Sequence, residues 1–214
     1  MIMLNMMEVY NKTIMSIQDQ RNNVTAFYNG IASVYEKEIE GKAENQFSNI
    51  LLDIYKRYNI IRGDILDIGC GTGKLKEYLG NSFTYTGIDI SPLMLQEAKN
   101  RGFEIFLGPA EEVIKRFPDK SIKHIVASSS LYFMSGFNGL VKEIERVASE
   151  SFFMTLEQFD TKVMKAMRIK GIELYNHPAS RIENPTELYK DVYLWKRPGT
   201  GEKIYGDIVF KRFS

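Results

Sequence analysis

The chain has little of several features on which whole classes of protein depend. It has one cysteine, Cys70, and two histidines, His124 and His177, in 214 residues. One thiol cannot form an intramolecular disulfide, and these residues do not have the spacing of a zinc site. No apolar run approaches the roughly 20 residues that span a membrane, and the N-terminus does not have the layout of a signal peptide. We therefore expect a cytoplasmic protein with a reduced thiol, no metal and no membrane partner.

An excess of charge of one sign is also missing. The chain carries 28 Lys and Arg against 27 Asp and Glu, so its composition makes a nucleic-acid partner unlikely. Residues 162–214 hold eleven basic side chains against six acidic ones, but these are scattered along the segment. We interpret them as solvated surface, and a surface for an anionic substrate is the alternative. The oligomeric state is not readable from these features.

Residues 1–58 are predicted to be helical. Apolar side chains recur at helical spacing in 3–22, 26–41 and 43–58. With 44% hydrophobic residues and no compositional break, we expect one compact domain overall. It is divided into an N-terminal helical extension and lid (1–58) and an α/β core (59–214).

In the predicted core, strands and helices alternate along the chain. The predicted strands are 64–69, 84–89, 104–107, 122–128 and 151–156, and the predicted helices are 73–79, 92–101, 110–116, 137–148 and 161–169. This order indicates right-handed crossovers and a doubly wound, mainly parallel sheet with helices on both faces. Two further strands, 188–196 and 203–213, flank the turn sequence Arg-Pro-Gly-Thr-Gly and are predicted to form an antiparallel hairpin.

The most informative stretch is Ile65–Leu75, in which a short apolar strand is followed by three alternating glycines. Glycines leave the backbone bare, so a ligand can lie against main-chain atoms. A Walker P-loop is rejected, because Ile68 and Leu75 stand where it needs a glycine and a Ser or Thr. The dinucleotide fingerprint is a near miss, since Lys74 stands where it needs its third glycine.

The sequence Asp-Ile-Gly-Cys-Gly-Thr-Gly, residues 67–73, resembles the first motif of the class I S-adenosylmethionine-dependent methyltransferases of the small-molecule type. The resemblance extends from about Phe27 to the C-terminus. It implies a Rossmann-like fold with seven strands in the order 3-2-1-4-5-7-6, strand 7 antiparallel, and S-adenosylmethionine as cofactor, released as S-adenosylhomocysteine. By this resemblance Asp89 pairs with the ribose hydroxyls, a role that a bidentate carboxylate also suits chemically, and Asp67 lies near the methionine end.

The third motif of that family departs from its usual form. Pro109 occupies the place of the acid expected to meet the adenine amino group, and Glu111 is either its substitute or a helix-dipole acid. The complete predicted set of cofactor-binding residues is Asp67, Gly69, Cys70, Gly71, Gly73, Asp89, Ile90, Ala110, Glu111 and Ser128.

The catalytic residues are unknown from sequence. In an open parallel sheet the ligand lies beyond the carboxyl ends of the strands, which favours 128–132 as pocket residues and makes His124, at the opposite edge, structural. Weak candidates for a proton acceptor or a pocket wall are Tyr28, Tyr35, Glu157 and His177. A general base is optional, because a sulfonium already activates the methyl group.

Two missing motifs narrow the range of possible methyl acceptors. The segment 128–132, Ser-Ser-Ser-Leu-Tyr, has no Pro-Pro pair of the DNA-amino subgroup, and Cys70 lies in the glycine turn rather than at a nucleophile position. We therefore expect methyl transfer to a small molecule by in-line displacement. An RNA or protein methyltransferase, or a non-catalytic protein that binds S-adenosylmethionine, are the alternatives.

Overall fold

A seven-stranded sheet forms the centre of the computed structural model, which describes residues 15–39, 46–196 and 201–213. The strands are β1 (Gly63–Ile68), β2 (Phe83–Asp89), β3 (Glu104–Leu107), β4 (Ile122–Ala127), β5 (Ala148–Gln158), β6 (Glu187–Lys196) and β7 (Lys203–Arg212). Their order is β3-β2-β1-β4-β5-β7-β6. The first five pair in parallel, and β7 is antiparallel to both β5 and β6. The predicted fold is confirmed.

Helices connect the parallel strands and precede them. They are α1 (Ile17–Ile31), α2 (Phe47–Arg57), α3 (Leu75–Leu79), α4 (Pro92–Asn100), α5 (Ala110–Val113), α6 (Phe137–Val147) and α7 (Thr161–Ile169). Local chemistry determines where they begin. Ser91 Oγ accepts the N–H of Met94 at 3.2 Å ahead of Pro92, and Asp160 Oδ1 accepts that of Val163 at 2.8 Å. Within the described residues, no helix has the length and apolar character that a membrane span requires.

Both faces of the sheet are buried, because successive side chains of a strand point to opposite sides. On β1, Ile65 packs into one core cluster with Leu51 and Ile54 of α2, and Leu66 packs into the other with Ile144 of α6. All five side chains are at most 1% exposed. Helix α2 falls in the predicted N-terminal extension, but it packs on one face of the sheet and forms part of the hydrophobic core.

A third apolar cluster lies at the carboxyl ends of the strands. It joins Val24 of α1 to Val163 and Met167 of α7 and to Leu174 in the segment that follows. Helix α1 belongs to the predicted lid and covers this edge of the sheet. The cluster sets α1 over the end of the sheet where ligands bind in open α/β folds.

The prediction of two helices, 3–22 and 26–41, was wrong within the described residues. A single helix runs through 17–31, followed by a 3₁₀ turn (Ala32–Val34) and a π-helix (Tyr35–Ile39). Residues 23–25, which lie between the two predicted helices, belong to this single helix, and Asn23 Nδ2 donates to the carbonyl of Gly171 at 2.8 Å. The rest of these predicted helices, residues 3–14 and 40–45, and most of the hairpin turn, residues 197–200, lie outside the described residues.

Candidate active site

The glycine turn after β1 is held against the neighbouring strands by its backbone. Gly69 and Cys70 both donate to the carbonyl of Ile88, at 2.7 and 3.1 Å. Ser130, after β4, donates its hydroxyl to the carbonyl of Ile68 at 2.8 Å. A Cβ on Gly69 would lie 2.3 Å from Ser130 Cβ, so glycine is required for the turn to approach the end of β4.

Gly71 occupies a different environment. Its φ is +53°, in the left-handed region, and a Cβ built there would meet no protein atom within 4 Å. The open space next to Gly71 belongs to a cavity of about 370 Å³, within the range of small-molecule sites. The bare backbone of the turn therefore forms part of a cavity wall.

Asp89 at the end of β2 organises this wall. Its Oδ2 accepts the N–H of Gly71 at 2.9 Å and its Oδ1 accepts that of Ser91 at 2.8 Å. Burial raises the pKa of Asp89, and the hydrogen bonds from Ser91, Gly71 and Ile90 partly offset that effect. Each carboxylate oxygen has a second lone pair, so Asp89 can still accept from a ligand diol.

Most of the predicted cofactor-binding residues surround this cavity. Its lining includes Asp67, Gly69, Cys70, Gly71, Asp89, Ile90, Ala110, Glu111 and Ser128. Gly73 is not part of the lining. A Cβ there would lie 2.9 Å from Phe103 and 3.1 Å from the Cα of Ala98, so Gly73 lets the turn pack closely against α4.

Cys70 packs into a space that a neighbouring glycine leaves free. A Cβ on Gly87 would lie 2.5 Å from the Cys70 Sγ. Burial, with smaller contributions from the nearby Asp67 and Asp89, raises the pKa of the thiol well above its usual value. The thiol is therefore protonated at neutral pH and serves as a small packing group.

Beyond the glycine turn the same cavity opens into a chamber with apolar walls. Its aromatic side chains are Phe27, Tyr28, Tyr35, Tyr132, Phe133, Phe159 and Trp195. Tyr28 meets Phe133 edge-on at 5.7 Å between ring centroids, and Tyr132 meets Phe159 at 4.9 Å. Burial raises the pKa of both tyrosines, so their hydroxyls are neutral hydrogen-bonding groups.

Each basic side chain in the cavity lining is paired with an acidic side chain. Arg21 of α1 lies 2.6 Å from Glu112 of α5, and Lys74 lies 3.8 Å from Glu77. The acidic side chains in the lining are Asp67, Asp89 and Glu111, and Asp89 bonds to the glycine turn. Among the described lining residues, both basic side chains are therefore paired with an acid.

Tyr28 and Tyr35 line the cavity, whereas His177 and Glu157 do not. The His177 Nε2 lies 3.1 Å from the carbonyl of Leu131, and its ring stacks on Phe137 at 4.2 Å. Burial lowers its pKa, which keeps the ring neutral. His177 therefore holds the loop after β4 in place.

His124 lies at the opposite edge of the sheet, where the sequence places it. It is 1% exposed, and its Nδ1 is 2.9 Å from the Ser151 Oγ. Its ring packs near Tyr55 and Phe83. These contacts are those of a structural histidine.

Sequence reasoning missed part of the chamber. Gln20 of α1, Val163 and Met167 of α7 and Trp195 of β6 all line it. The apolar spacing of Val163 and Met167, four residues apart on a short helix, was the available signal. The other two residues reach the cavity through the long-range packing of α1 and β6, which a local pattern does not reveal.

The comparisons agree with this geometry. Residues 66–151 match the family model described as a methyltransferase domain. A methyltransferase of Schizosaccharomyces pombe is 31% identical over 86 residues, 38% of this chain and 33% of that protein. The methyltransferase YodH of Bacillus subtilis is 37% identical over 92 residues, 41% of this chain and 39% of that protein. The alignments thus span less than half of these curated relatives.

Among solved structures, the chain resembles magnesium protoporphyrin IX methyltransferase (ChlM) from Synechocystis PCC 6803, determined with bound SAH. The TM-score is 0.67 at 14% identity, and the match covers 91% of this chain and 100% of the other. At that identity the likeness concerns the fold, and the fold agrees with the domain match. Residues 66–151 therefore match a methyltransferase domain, and the chain as a whole has the fold of a methyltransferase determined with bound SAH.

Proposed function

We propose that the protein transfers a methyl group from S-adenosylmethionine to a small, uncharged and mainly apolar acceptor. The observation that carries this proposal is the continuity of one cavity from the glycine turn into the aromatic chamber. Donor and acceptor bound at its two ends would share a water-poor space, as an in-line displacement requires.

The residues at the polar end suit the cofactor. Asp89 would accept the ribose hydroxyls, and the backbone at Gly71 would lie against the ligand without a Cβ in the way. Asp67, which is 4% exposed, would lie near the methionine end. When bound, the sulfonium supplies an activated methyl group, and the protein supplies position, exclusion of water and, where needed, a path for a proton.

The chamber supports a neutral acceptor because its walls are aromatic and its basic neighbours, Arg21 and Lys74, are paired with acids. An anionic acceptor would lose its hydration on entering the cavity, and the described lining residues offer it no unpaired cation. This desolvation would cost free energy. The same reasoning disfavours an RNA substrate, whose phosphates require basic side chains.

The proposal is tested by two measurements on the full chain. Calorimetry with S-adenosylmethionine and S-adenosylhomocysteine should show binding to the wild type. Release of S-adenosylhomocysteine should then be followed with neutral apolar compounds, charged analogues of similar size and RNA. Turnover with the neutral set is expected. Turnover confined to RNA or to charged compounds would refute the acceptor class, and absence of cofactor binding would refute the proposal as a whole.

A further inference from the structure

Ser129, the second residue after β4, has a backbone conformation that needs support. Its φ is +51°, which is uncommon for a residue with a side chain. The N–H of Ser129 donates to Thr155 Oγ1 at 2.8 Å, and its hydroxyl donates to Glu157 Oε1 at 2.9 Å. Thr155 donates its own hydroxyl to the same carboxylate oxygen at 2.8 Å. Two residues of β5 therefore hold Ser129 in place.

Glu157 itself is hidden beneath the cavity. It is 1% exposed and does not line the cavity, whereas Ser129 is half-buried and does. Neither its second oxygen, Oε2, nor the nearby Trp195 Nε1 has a hydrogen-bond partner among the described residues. Burial raises the pKa of Glu157, and the hydrogen bonds from Thr155 and Ser129 only partly offset it. A carboxylate poised to take a proton thus lies one hydroxyl away from the cavity.

The Ser129 hydroxyl donates to Glu157, and its oxygen is therefore able to accept a hydrogen bond. Because its proton points to Glu157, its oxygen presents lone pairs that can accept a hydrogen bond from the cavity. A hydroxyl of an acceptor molecule could then donate to Ser129 Oγ. An anionic oxygen could not, since it would meet lone pairs rather than a donor.

We propose that Ser129 and Glu157 form a proton relay that deprotonates an aromatic hydroxyl acceptor. This inference rests on the proposed methyl transfer. The acceptor oxygen forms a bond to the methyl carbon while the carbon–sulfur bond breaks and its electron pair goes to sulfur. The hydroxyl proton passes to Ser129 Oγ, and the proton of Ser129 passes to Glu157. The products are an aryl methyl ether, S-adenosylhomocysteine and a protonated, neutral Glu157.

The chamber favours a hydroxyl on an aromatic ring over an aliphatic alcohol. Rings of Tyr28, Tyr132 and Phe159 offer faces and edges for aromatic packing. A phenolic proton is also acidic enough for a carboxylate of raised pKa to take it during the reaction, and general-base catalysis is most effective when the two pKa values approach each other.

The test compares two neutral acceptors that differ in their need for a base. 4-Methylphenol must lose its proton as the methyl group is transferred, whereas 4-methylaniline attacks through its nitrogen lone pair and loses a proton only after the transfer. Ser129→Ala and Glu157→Gln should each lower kcat for 4-methylphenol by about 10²-fold and leave kcat for 4-methylaniline nearly unchanged. Ser121→Ala and Glu150→Gln, at the opposite ends of β4 and β5, are the matched controls and should behave as wild type.

Thr155→Val separates positioning from proton transfer, because it removes a support of Ser129 and keeps the relay groups. It should lower kcat for both acceptors alike. The pH profile with 4-methylphenol should lose its acidic limb in Glu157→Gln; the neutral Tyr28 and Tyr132 face the same carboxylate and titrate far above this range. Equal losses on 4-methylphenol and 4-methylaniline in Ser129→Ala and Glu157→Gln would overturn the relay.

Failure of the inference is distinguishable from failure of the proposed function. A wild type that binds S-adenosylmethionine and methylates apolar amines or thiols, but not 4-methylphenol, refutes the hydroxyl acceptor and leaves methyl transfer intact. A wild type that does not bind S-adenosylmethionine in calorimetry refutes both proposals.

Discussion

The carboxylate of Asp89 accepts the backbone N–H of Gly71 at 2.9 Å, across two parallel strands. This contact ties the end of β2 to the glycine turn after β1. It gives the turn its shape and sets an acidic group beside bare backbone. A change at either residue should therefore affect the ligand more than it affects the core of the sheet.

Replacing Asp89 with alanine should weaken the binding of S-adenosylmethionine by about 10- to 100-fold, because a charged acceptor of the ribose hydroxyls is lost. Calorimetry with S-adenosylhomocysteine measures the change without turnover. Asp119→Ala is a control, since that exposed carboxylate binds Arg146 on another part of the surface. Unchanged affinity in a folded Asp89→Ala protein would contradict the cofactor placement.

Replacing Gly71 with valine should abolish cofactor binding while the protein stays folded. The added side chain projects into the cavity, and the φ of +53° adds a strain of about 1–2 kcal/mol. Gly139→Ala on α6 is a matched control, because a Cβ there also meets nothing within 4 Å and Gly139 does not line the cavity. If Gly71→Val bound the cofactor as tightly as Gly139→Ala, the cavity assignment at the turn would be wrong.

Replacing Gln20 with leucine should loosen α1. The buried Gln20 amide donates to the carbonyl of Glu173 and accepts its N–H, both at 2.8 Å, so leucine leaves two backbone groups without partners. We expect a loss of about 1–3 kcal/mol in the free energy of unfolding and faster hydrogen exchange in α1. Gln18→Leu, exposed on the same helix, is the control. Similar exchange rates in the two variants would show that the amide does not hold the helix.

The pH dependence of stability should report the buried carboxylate of Glu157. Burial raises its pKa in the folded state, so between the unfolded value of about 4.3 and the folded value the folded protein binds more protons. Stability must then fall as the pH rises through that window. Urea unfolding of wild type and Glu157→Gln across this range should show a pH-dependent difference that levels off above the folded pKa. Parallel curves would contradict a raised pKa.

The sequence was sufficient for those parts of the molecule in which local patterns and burial agree. The alternation of buried strands and helices predicted a mainly parallel, doubly wound sheet, the family resemblance implied its strand order, and the helix after Ser91 begins where capping chemistry places it. The glycines indicated a stretch of bare backbone, and the family resemblance singled out Asp89.

The remaining features depend on distant parts of the chain. The sequence predicted separate helices on either side of residues 23–25, yet the Asn23 amide binds Gly171 and the helix continues. Glu157 seemed by position to be a pocket residue, but the side chain turns beneath Ser129 and is covered. The environment of each side chain depends on which distant segment packs against it. Hydrophobic periodicity and turn-forming residues do not reveal that segment.

The packing of Cys70 against Gly87 has a practical consequence. The chain has a single thiol, and it is buried and protonated in the notch beside the glycine turn. A thiol-reactive dye should label this buried, protonated thiol slowly. Because Cys70 also lines the cavity, a further slowing on addition of a ligand would report occupancy of the cavity without any engineered probe.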